Sequence, residues 1–212
     1  MSTSSEPALH VDPALDIEPD SVERQPPGTF ETLAKVGDAR AGRVHTAHGP
    51  VDTPCFMPVG TYGSVKGLSC GELEGIGSQV VLANAYHLTH RPGADDVAAL
   101  GGLHRLMDWN RAILTDSGGY QVFSLRQLQR IDEGGVNYQT HFDGSRHRMT
   151  PESVLETQAK LGSDICMILD HCPPGDAERS DVIDAMQRTT RWAEQAAKAK
   201  SSIGRCFSST GV

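Results

Sequence analysis

The chain has 212 residues, which suits one domain, and only 38% of them are hydrophobic and 5% aromatic. A formal net charge of −8 argues against general affinity for nucleic acid, although Arg146-His147-Arg148 makes one short basic candidate. No run of about 18 apolar residues occurs, so we expect no transmembrane segment.

The first segment of the chain is not core material. Residues 1–28 are rich in Ser, Pro, Glu and Asp and contain no long apolar block, so we predict a disordered tail ahead of a folded region at residues 29–200. The tail lacks the basic start and apolar stretch of a signal peptide. The five cysteines form no C-x-x-C pair, and we therefore expect free thiols in a reducing cytoplasm.

Strand and helix patterns alternate after residue 40. Alternating β-prone segments flank the turn His48-Gly49-Pro50. Three continuous apolar runs have the length of buried strands: residues 79–83, 112–115 and 165–169. Three segments have a helical pattern: residues 94–100, 151–161 and about 178–200. This alternation predicts an α/β fold with parallel strands covered on both sides.

Two segments carry more specific signals. Alternating residues at 136–142, followed by Asp143-Gly144, predict a β-hairpin. Thr150 is the expected N-cap of the helix at 151–161, and Gly162 its stop. For the last helix we expect this buried face: Val182, Met186, Thr189, Ala193 and Ala196, with Trp192 alongside.

Each of the three apolar runs ends in a polar residue, namely Asn84, Asp116 and Asp170. In α/β proteins the functional groups gather at the carboxyl ends of parallel strands. One polar strand end would mean little, but three in successive units predict a site.

Asp116 is the first candidate in that site. The glycines of Asp116-Ser117-Gly118-Gly119 would let a ligand approach the backbone, and their N–H groups would keep the acid ionised. A positioned carboxylate suits proton abstraction, and Tyr120 could offer a flat face to an aromatic ligand. The alternative is an Asp that ends a strand in an Asx-turn.

Asp170 is the second candidate. Its carboxylate offers two parallel acceptors, which match the adjacent N1–H and exocyclic amine of a guanine-like base. The alternative is a helix cap or a loop turn before Pro173. Asp116 and Asp170 could also be the acid/base pair of an α/β-barrel lyase or hydrolase.

The other chemical candidates are weaker. The pairs His45-x-x-His48 and His87-x-x-His90 have metal-like spacing, but we find no acids or thiols arranged as further ligands and expect hydrogen-bonded or surface histidines. Cys172 has no base fixed by spacing, and we expect a packed thiol rather than a nucleophile. The sequence therefore predicts no metal site.

Several motifs together resemble the bacterial tRNA-guanine transglycosylase family, whose members are also called queuine tRNA-ribosyltransferases. They occur in consistent order from about Phe30 to about Trp192: FMPVGT at 56–61, NAYHL at 84–88, RPG at 91–93, ILTDSGGYQVFSL at 113–125, DGSRH at 143–147, TPE at 150–152 and LGSDI at 161–165.

The resemblance implies a (β/α)₈ barrel that exchanges guanine at the wobble position of tRNA for the 7-deazaguanine base preQ1. It gives Asp116 the role of a proton acceptor in the base pocket, has Ser117 and Tyr120 bind the base, and has Asp170 read its donor edge. The resemblance places Asn84, Tyr86 and His87 around that pocket in supporting roles. It also implies a tRNA partner, homodimers and a cytoplasmic location.

This chain departs from the family pattern in two places. The family usually has Asp-Glu-Cys where this chain has Asp170-His171-Cys172. The family's nucleophilic aspartate and its zinc site of three cysteines and a histidine follow a further strand, whereas residues 201–212 have neither an apolar strand nor metal spacing, and we predict an aberrant tail there. We therefore expect an incomplete barrel with no cofactor and no base exchange by this chain alone; the alternative is a non-catalytic base-binding or partner subunit.

Overall fold

The computed structural model describes residues 25–124, 129–203 and 207–208. The predicted tail falls mostly outside them; of its residues, 25–28 are described, and Gly28 N–H donates to the carbonyl of His45 at 2.8 Å. The strands are β1 Phe30–Val36, β2 Ala39–Thr46, β3 Gly49–Thr53, β4 Val80–Asn84, β5 Ala112–Asp116, β6 Gln129–Asp132, β7 Gly135–Gln139, β8 Arg146–Met149, β9 Ile165–Cys166 and β10 Phe207–Ser208. The α-helices are α1 Cys70–Gly75, α2 Ala85–Leu88, α3 Ala94–Ala99, α4 Leu103–Met107, α5 Gly119–Ser124, α6 Pro151–Leu161 and α7 Arg179–Ile203, with a π-turn at Thr89–Gly93.

A parallel sheet carries the strands that the apolar runs predicted. Its order is β10-β9-β5-β4, and all three neighbouring pairs are parallel. Val59 adds an isolated parallel bridge to Leu82 on the free edge of β4. Strands and helices alternate along this sheet, which confirms the α/β class; the described residues do not close into a barrel.

Two small antiparallel sheets flank the parallel one. The first has the order β1-β2-β3, with its second turn at Thr46↔Gly49, as the sequence indicated. The second has the order β6-β7-β8 and contains the predicted hairpin. We did not predict β1 or β6, because neither shows the alternation of apolar and polar residues that identifies a half-buried strand.

The predicted strand at 165–169 was wrong beyond Cys166, where β9 ends; Met167 N–H still donates to the carbonyl of Thr115 at 3.1 Å, but a side chain now shares this backbone. The buried Gln158 of α6 donates to the carbonyl of Met167 at 2.8 Å and accepts from its N–H at 2.8 Å. Gln158 also accepts from the hydroxyl of Thr115 at 2.8 Å. This side chain therefore fixes the exit of β9, from which the chain runs on to Asp170.

Helix α6 has the predicted ends. Thr150 caps it by accepting from Ser153 N–H at 3.1 Å, and Gly162 closes it in the left-handed conformation, with φ of +76°. Helix α7 packs on α6, but its predicted face was partly wrong. Ala185, Trp192 and Ala196 are buried, whereas Val182 and Met186 are 43% and 61% exposed. The buried stripe is thus rotated toward Ala185, and Trp192 lies on it.

The main apolar core lies between the parallel sheet and the short helices α1, α3 and α4. It includes Val81 and Ile113 from the strands and Leu103 and Trp109 from the α4 region, all fully buried. A second cluster joins Tyr86, Tyr138 and Trp192 under the hairpin. Among the described helices, none combines the length and the apolar character needed to cross a bilayer.

Candidate functional site

The ends of β4 and β5 bring two of the predicted site residues together. Asn84 and Asp116 are partners in the parallel register. The amide Nδ2 of Asn84 donates to Asp116 Oδ2 at 2.5 Å. Asn84 also caps α2, because its Oδ1 accepts from His87 N–H at 3.1 Å. The first turn of α2 therefore fixes the orientation of the Asn84 amide, and this amide in turn holds the Asp116 carboxylate.

Two backbone N–H groups hold the other oxygen of Asp116. Ala85 and Gly118 donate to Oδ1 at 3.0 and 3.1 Å. We predicted that such groups would keep the acid ionised, but burial is the larger effect and raises the pKa of Asp116 to about 6, with the nearby Asp170 adding to the rise. Burial outweighs the donors because a buried carboxylate loses more hydration than three neutral donors return, yet a pKa of about 6 still leaves Asp116 mostly ionised at neutral pH.

Asp170 lies beside this strand end and is linked to it through Ser117. The Ser117 hydroxyl donates to Asp170 Oδ1 at 3.1 Å. The thiol of Cys172 donates to Oδ2 at 2.9 Å, and burial, followed by this hydrogen bond and the charge of Asp170, raises the pKa of Cys172 to about 12. A thiol that holds its proton this firmly is a hydrogen-bond donor, which agrees with the prediction that Cys172 is not a nucleophile.

The two glycines of the motif make room for protein atoms. A Cβ on Gly118 (φ of +75°) would lie 2.7 Å from Tyr86 Cβ and 2.9 Å from Tyr86 N. A Cβ on Gly119 would lie 2.9 Å from Asp170 Oδ1. Small residues are thus required here so that the turn after Asp116 can lie against α2 and so that Asp170 can approach the motif.

The aromatic candidates occupy different environments. Tyr120 is 68% exposed and is free to present its ring to a ligand. Tyr86 is fully buried, and its hydroxyl lies 2.9 Å from His141 Nδ1, so its ring packs in the core and does not line an open pocket. His87 is half-buried beside Tyr62, and its Nδ1 is a buried atom with no partner among the described residues. Burial lowers the pKa of His87, so the ring is neutral at neutral pH.

His171 stands where the resembling family has a glutamate. Arg188 Nη1 lies 3.0 Å from His171 Nδ1, and burial followed by the charge of Arg188 lowers the pKa of His171. An arginine can only donate, so Nδ1 is the acceptor and the proton of the neutral ring is on Nε2. This chain therefore presents an N–H donor where a glutamate would present acceptors.

The two histidine pairs have separate outcomes. His90 Nε2 lies 3.0 Å from the Tyr138 hydroxyl, as expected for a hydrogen-bonded histidine, and burial lowers the pKa of His90 to about 4. His45 lies 3.1 Å from Glu31 Oε1. The expectation that no acid accompanies His48 was wrong, because Asp164, distant in sequence, lies 2.8 Å from His48 Nδ1. Spacing within one motif could not reveal a partner from another element.

The basic candidate lies on β8 and is partly neutralised. Arg148 forms a two-point ion pair with Asp132, at 3.0 and 2.8 Å. His147 Nε2 lies 2.7 Å from the Ser145 hydroxyl, whereas Arg146 is exposed. Only part of the local positive charge is therefore free to meet a phosphate.

The fold and the site together define an α/β protein with two carboxylates at the carboxyl edge of a parallel sheet. The family model described as queuine tRNA-ribosyltransferase matches residues 35–209. Queuine tRNA-ribosyltransferase of Syntrophobacter fumaroxidans is 56% identical over 161 residues, which are 76% of this chain and 43% of that protein. Proteins of that name from Fusobacterium nucleatum and Thermus thermophilus are 51% and 52% identical, over 82% of this chain and 46% and 45% of their own lengths.

The chain therefore belongs to the queuine tRNA-ribosyltransferase family, a family of pentosyltransferases, as the resemblance indicated. It spans less than half the length of the curated relatives it matches. The family match continues to residue 209, and β10 pairs in parallel with β9. The prediction that residues 201–212 contain no strand was thus wrong at 207–208, where the sheet partner is β9; residues 204–206 and 209–212 lie outside the described residues.

Proposed function

We propose that this chain supplies the base-recognition part of a tRNA-guanine transglycosylase, which exchanges guanine at the wobble position of tRNA for preQ1. The observation that carries the proposal is the pairing of Asp116 and Asp170 at one sheet edge, joined through Ser117. The names of the relatives support tRNA as the macromolecular substrate. We propose that modification of tRNA takes place in the cytoplasm. We also propose that the protein forms a homodimer, as the family resemblance implies.

In this proposal Asp170 reads the donor edge of the base. Its two oxygens accept from N1–H and the exocyclic amine of guanine, an arrangement that favours guanine over bases with an acceptor on that edge. The Ser117 hydroxyl holds one of these oxygens, and the Cys172 thiol holds the other. The exposed ring of Tyr120 stacks on the base.

Asp116 is the proposed proton acceptor. A pKa of about 6 leaves it mostly ionised at neutral pH while making it a stronger base than an ordinary carboxylate. Asn84, Ala85 and Gly118 hold it before a base binds. Deprotonation of the incoming base by Asp116 would then prepare it to attack the ribose C1′.

We further propose that residues 29–200 are part of a (β/α)₈ barrel, of which β4, β5 and β9 are consecutive strands and which β10, at Phe207–Ser208, continues. The relatives are more than twice as long as the segments they share with this chain. The residue that attacks C1′ and the zinc site, both implied by the family resemblance, belong in this proposal to the part of the relatives that these 212 residues do not match. We therefore expect this chain to bind the base but not to exchange it.

Calorimetric titration of the chain with guanine and with preQ1 tests base recognition. Asp170→Asn replaces one acceptor by a donor and should weaken guanine binding at least tenfold, as expected for one good base contact of about 1–3 kcal/mol. Asp176→Asn, at an exposed position six residues on, is the matched control and should leave affinity unchanged. Equal affinity of Asp170→Asn and the unaltered chain would refute the role of Asp170.

A second assay separates binding from exchange. Radiolabelled guanine and a cognate tRNA are incubated with the purified chain, and label in tRNA is counted. We expect none above background. Incorporation that is lost in Asp116→Asn would show that the chain acts alone and that our division of roles between its residues and the rest of the relatives is wrong.

A further inference from the structure

Three possible metal ligands meet at the amino edge of the parallel sheet, opposite Asp116 and Asp170. Asp164 immediately precedes β9, His48 lies in the turn between β2 and β3, and His104 lies on α4. His48 Nδ1 lies 2.8 Å from Asp164 Oδ1, and His104 Nε2 lies 3.1 Å from Asp164 Oδ2. The possible ligand atoms of the three side chains all lie within 4.8 Å of one another.

We propose that His48, His104 and Asp164 form a site for a divalent transition-metal ion, with Zn²⁺ the best match. Two imidazoles and a carboxylate are a donor set that Zn²⁺ accepts, with bonds of about 2.0–2.2 Å. Ligand atoms on a tetrahedral ion with such bonds are about 3.3 Å apart. The two observed nitrogen–oxygen distances, 2.8 and 3.1 Å, are already close to that separation.

The carboxylate is held in place as a metal ligand requires. The Asp164 side chain is 1% exposed, and the N–H of Ile113 donates to its Oδ2 at 2.9 Å. The N–H of Asp164 in turn donates to the carbonyl of Ile113 at 3.0 Å. Backbone contacts of this kind orient a ligand and reduce the entropy lost on binding. His48, whose side chain is 38% exposed, gives an ion access from solvent.

Ion binding requires two local changes. His104 Nε2 also lies 3.1 Å from the carbonyl of Arg111, so without an ion this nitrogen carries the proton. On binding, each imidazole moves its proton to the other ring nitrogen and offers a lone pair to the ion. The rings are stacked, with centroids 3.5 Å apart and planes at 17°, so one of them must tilt. His48, on an exposed turn, is the ring with the freedom to do so.

The position indicates a structural ion. The three ligands come from the β2–β3 turn, from α4 and from the start of β9, so an ion would tie the antiparallel sheet and a helix to the parallel sheet. Residues at the amino end of parallel strands serve stability more often than catalysis. The proposal is independent of the proposed function, because no member of the cluster contacts the described base site.

Titration of the full chain with Co²⁺, followed by visible absorption, tests the site, since the ion reports its coordination by its spectrum. We expect one equivalent to bind, and one equivalent of Zn²⁺ to displace it. His48→Ala should weaken binding at least tenfold, because it removes one of three protein ligands. His141→Ala removes an exposed histidine elsewhere and should leave affinity unchanged.

A gain-of-signal variant guards against the effect of misfolding. His48→Cys keeps a ligand at the same position and should add a thiolate-to-cobalt charge-transfer band in the near ultraviolet, which the unaltered chain lacks. Two results would overturn the proposal: absence of stoichiometric binding to the unaltered chain, or binding that is unchanged in His48→Ala and adds no such band in His48→Cys. The cluster would then be a hydrogen-bonded group only.

Discussion

The two ends of the parallel sheet each hold a buried aspartate, and the two acids have opposite electrostatic behaviour. Asp116, at the carboxyl end, has a raised pKa of about 6. Asp164, at the amino end, has a pKa below its ordinary value, although burial by itself raises it. Both accept a backbone N–H, so the difference does not come from the backbone.

The neighbouring side chains account for the difference. Asp164 is held by His48 and His104, whose rings can carry positive charge and whose hydrogen bonds lower its pKa. Asp116 is held by a neutral amide, and the nearest acid, Asp170, raises its pKa further. A buried carboxylate stays firmly ionised when its partners can be cationic, and holds a proton near neutral pH when they cannot. The environment of Asp164 therefore suits a structural role, and that of Asp116 suits proton transfer.

The largest expected effect is at the amino end. Asp164→Ala leaves the buried N–H of Ile113 without this acceptor and removes the carboxylate that His48 and His104 share, and should lower the free energy of unfolding by about 3–5 kcal/mol. Urea denaturation followed by circular dichroism measures this. Asp95→Ala breaks an exposed ion pair with Lys160 and should have little effect. Equal losses in the two variants would contradict the structural role of Asp164.

The glycines at the two ends allow a matched comparison. Gly118 and Gly162 have φ of +75° and +76°, so alanine at either position incurs the same backbone strain, roughly 1–2 kcal/mol. A Cβ on Gly118 meets Tyr86 at 2.7 Å, whereas one on Gly162 has no atom nearer than 3.7 Å. Gly118→Ala should therefore cost about 1–3 kcal/mol more in unfolding free energy than Gly162→Ala. Equal costs would mean that the turn can move away from α2.

The raised pKa of Asp116 predicts a pH dependence of stability. Its folded-state pKa, about 6, exceeds the ordinary 3.8, so the folded chain binds more protons between these values. This contribution to stability is complete below pH 3.8 and is lost as pH rises through 6; a pKa difference of this size corresponds to roughly 3 kcal/mol. The free energy of unfolding of the unaltered chain, minus that of Asp116→Asn, should therefore fall as the pH rises from 3.8 to above 6.

The pH slope is the quantity to compare, because the variant also places an amide near Asn84 Nδ2 at a cost that does not vary with pH. Asp38→Asn, at an exposed position in the β1–β2 turn, should keep the slope of the unaltered chain. If Asp116→Asn keeps it as well, Asp116 titrates in the folded chain as it does in an exposed peptide.

Sequence patterns predicted the carboxyl end of the sheet but not the amino end. The apolar runs that stop at Asn84 and Asp116 predict the register of β4 and β5, because parallel strands of equal length end at one edge of the sheet. His48, His104 and Asp164 come from three separate elements, and nothing in their local sequence indicates that they meet. Contacts between distant elements depend on how helices pack on the sheet, which no local pattern encodes.

Errors within elements have a similar origin. The periodicity of α7 identified a helix correctly, but Val182 and Met186 are exposed because the packing of α6 selects a neighbouring stripe. Just past the end of β9 the side-chain amide of Gln158 contacts the backbone of Met167, and no local pattern indicates this contact. No local pattern indicated the raised pKa of Asp116 for the same reason: hydrogen bonds can be inferred from a motif, whereas loss of hydration depends on the whole fold.

The smallest effect concerns the link between the two acids of the carboxyl end. Ser117→Ala removes the donor to Asp170 Oδ1 and the acceptor for Gly119 N–H, and should lower the free energy of unfolding by about 1 kcal/mol. Ser124→Ala, at an exposed position at the end of α5, should change it by less than about 0.5 kcal/mol. Because Ser117 also orients Asp170, guanine affinity should fall several-fold in Ser117→Ala alone. Unchanged affinity together with the lost stability would mean that Asp170 keeps its orientation through Cys172, and that the serine serves only the turn.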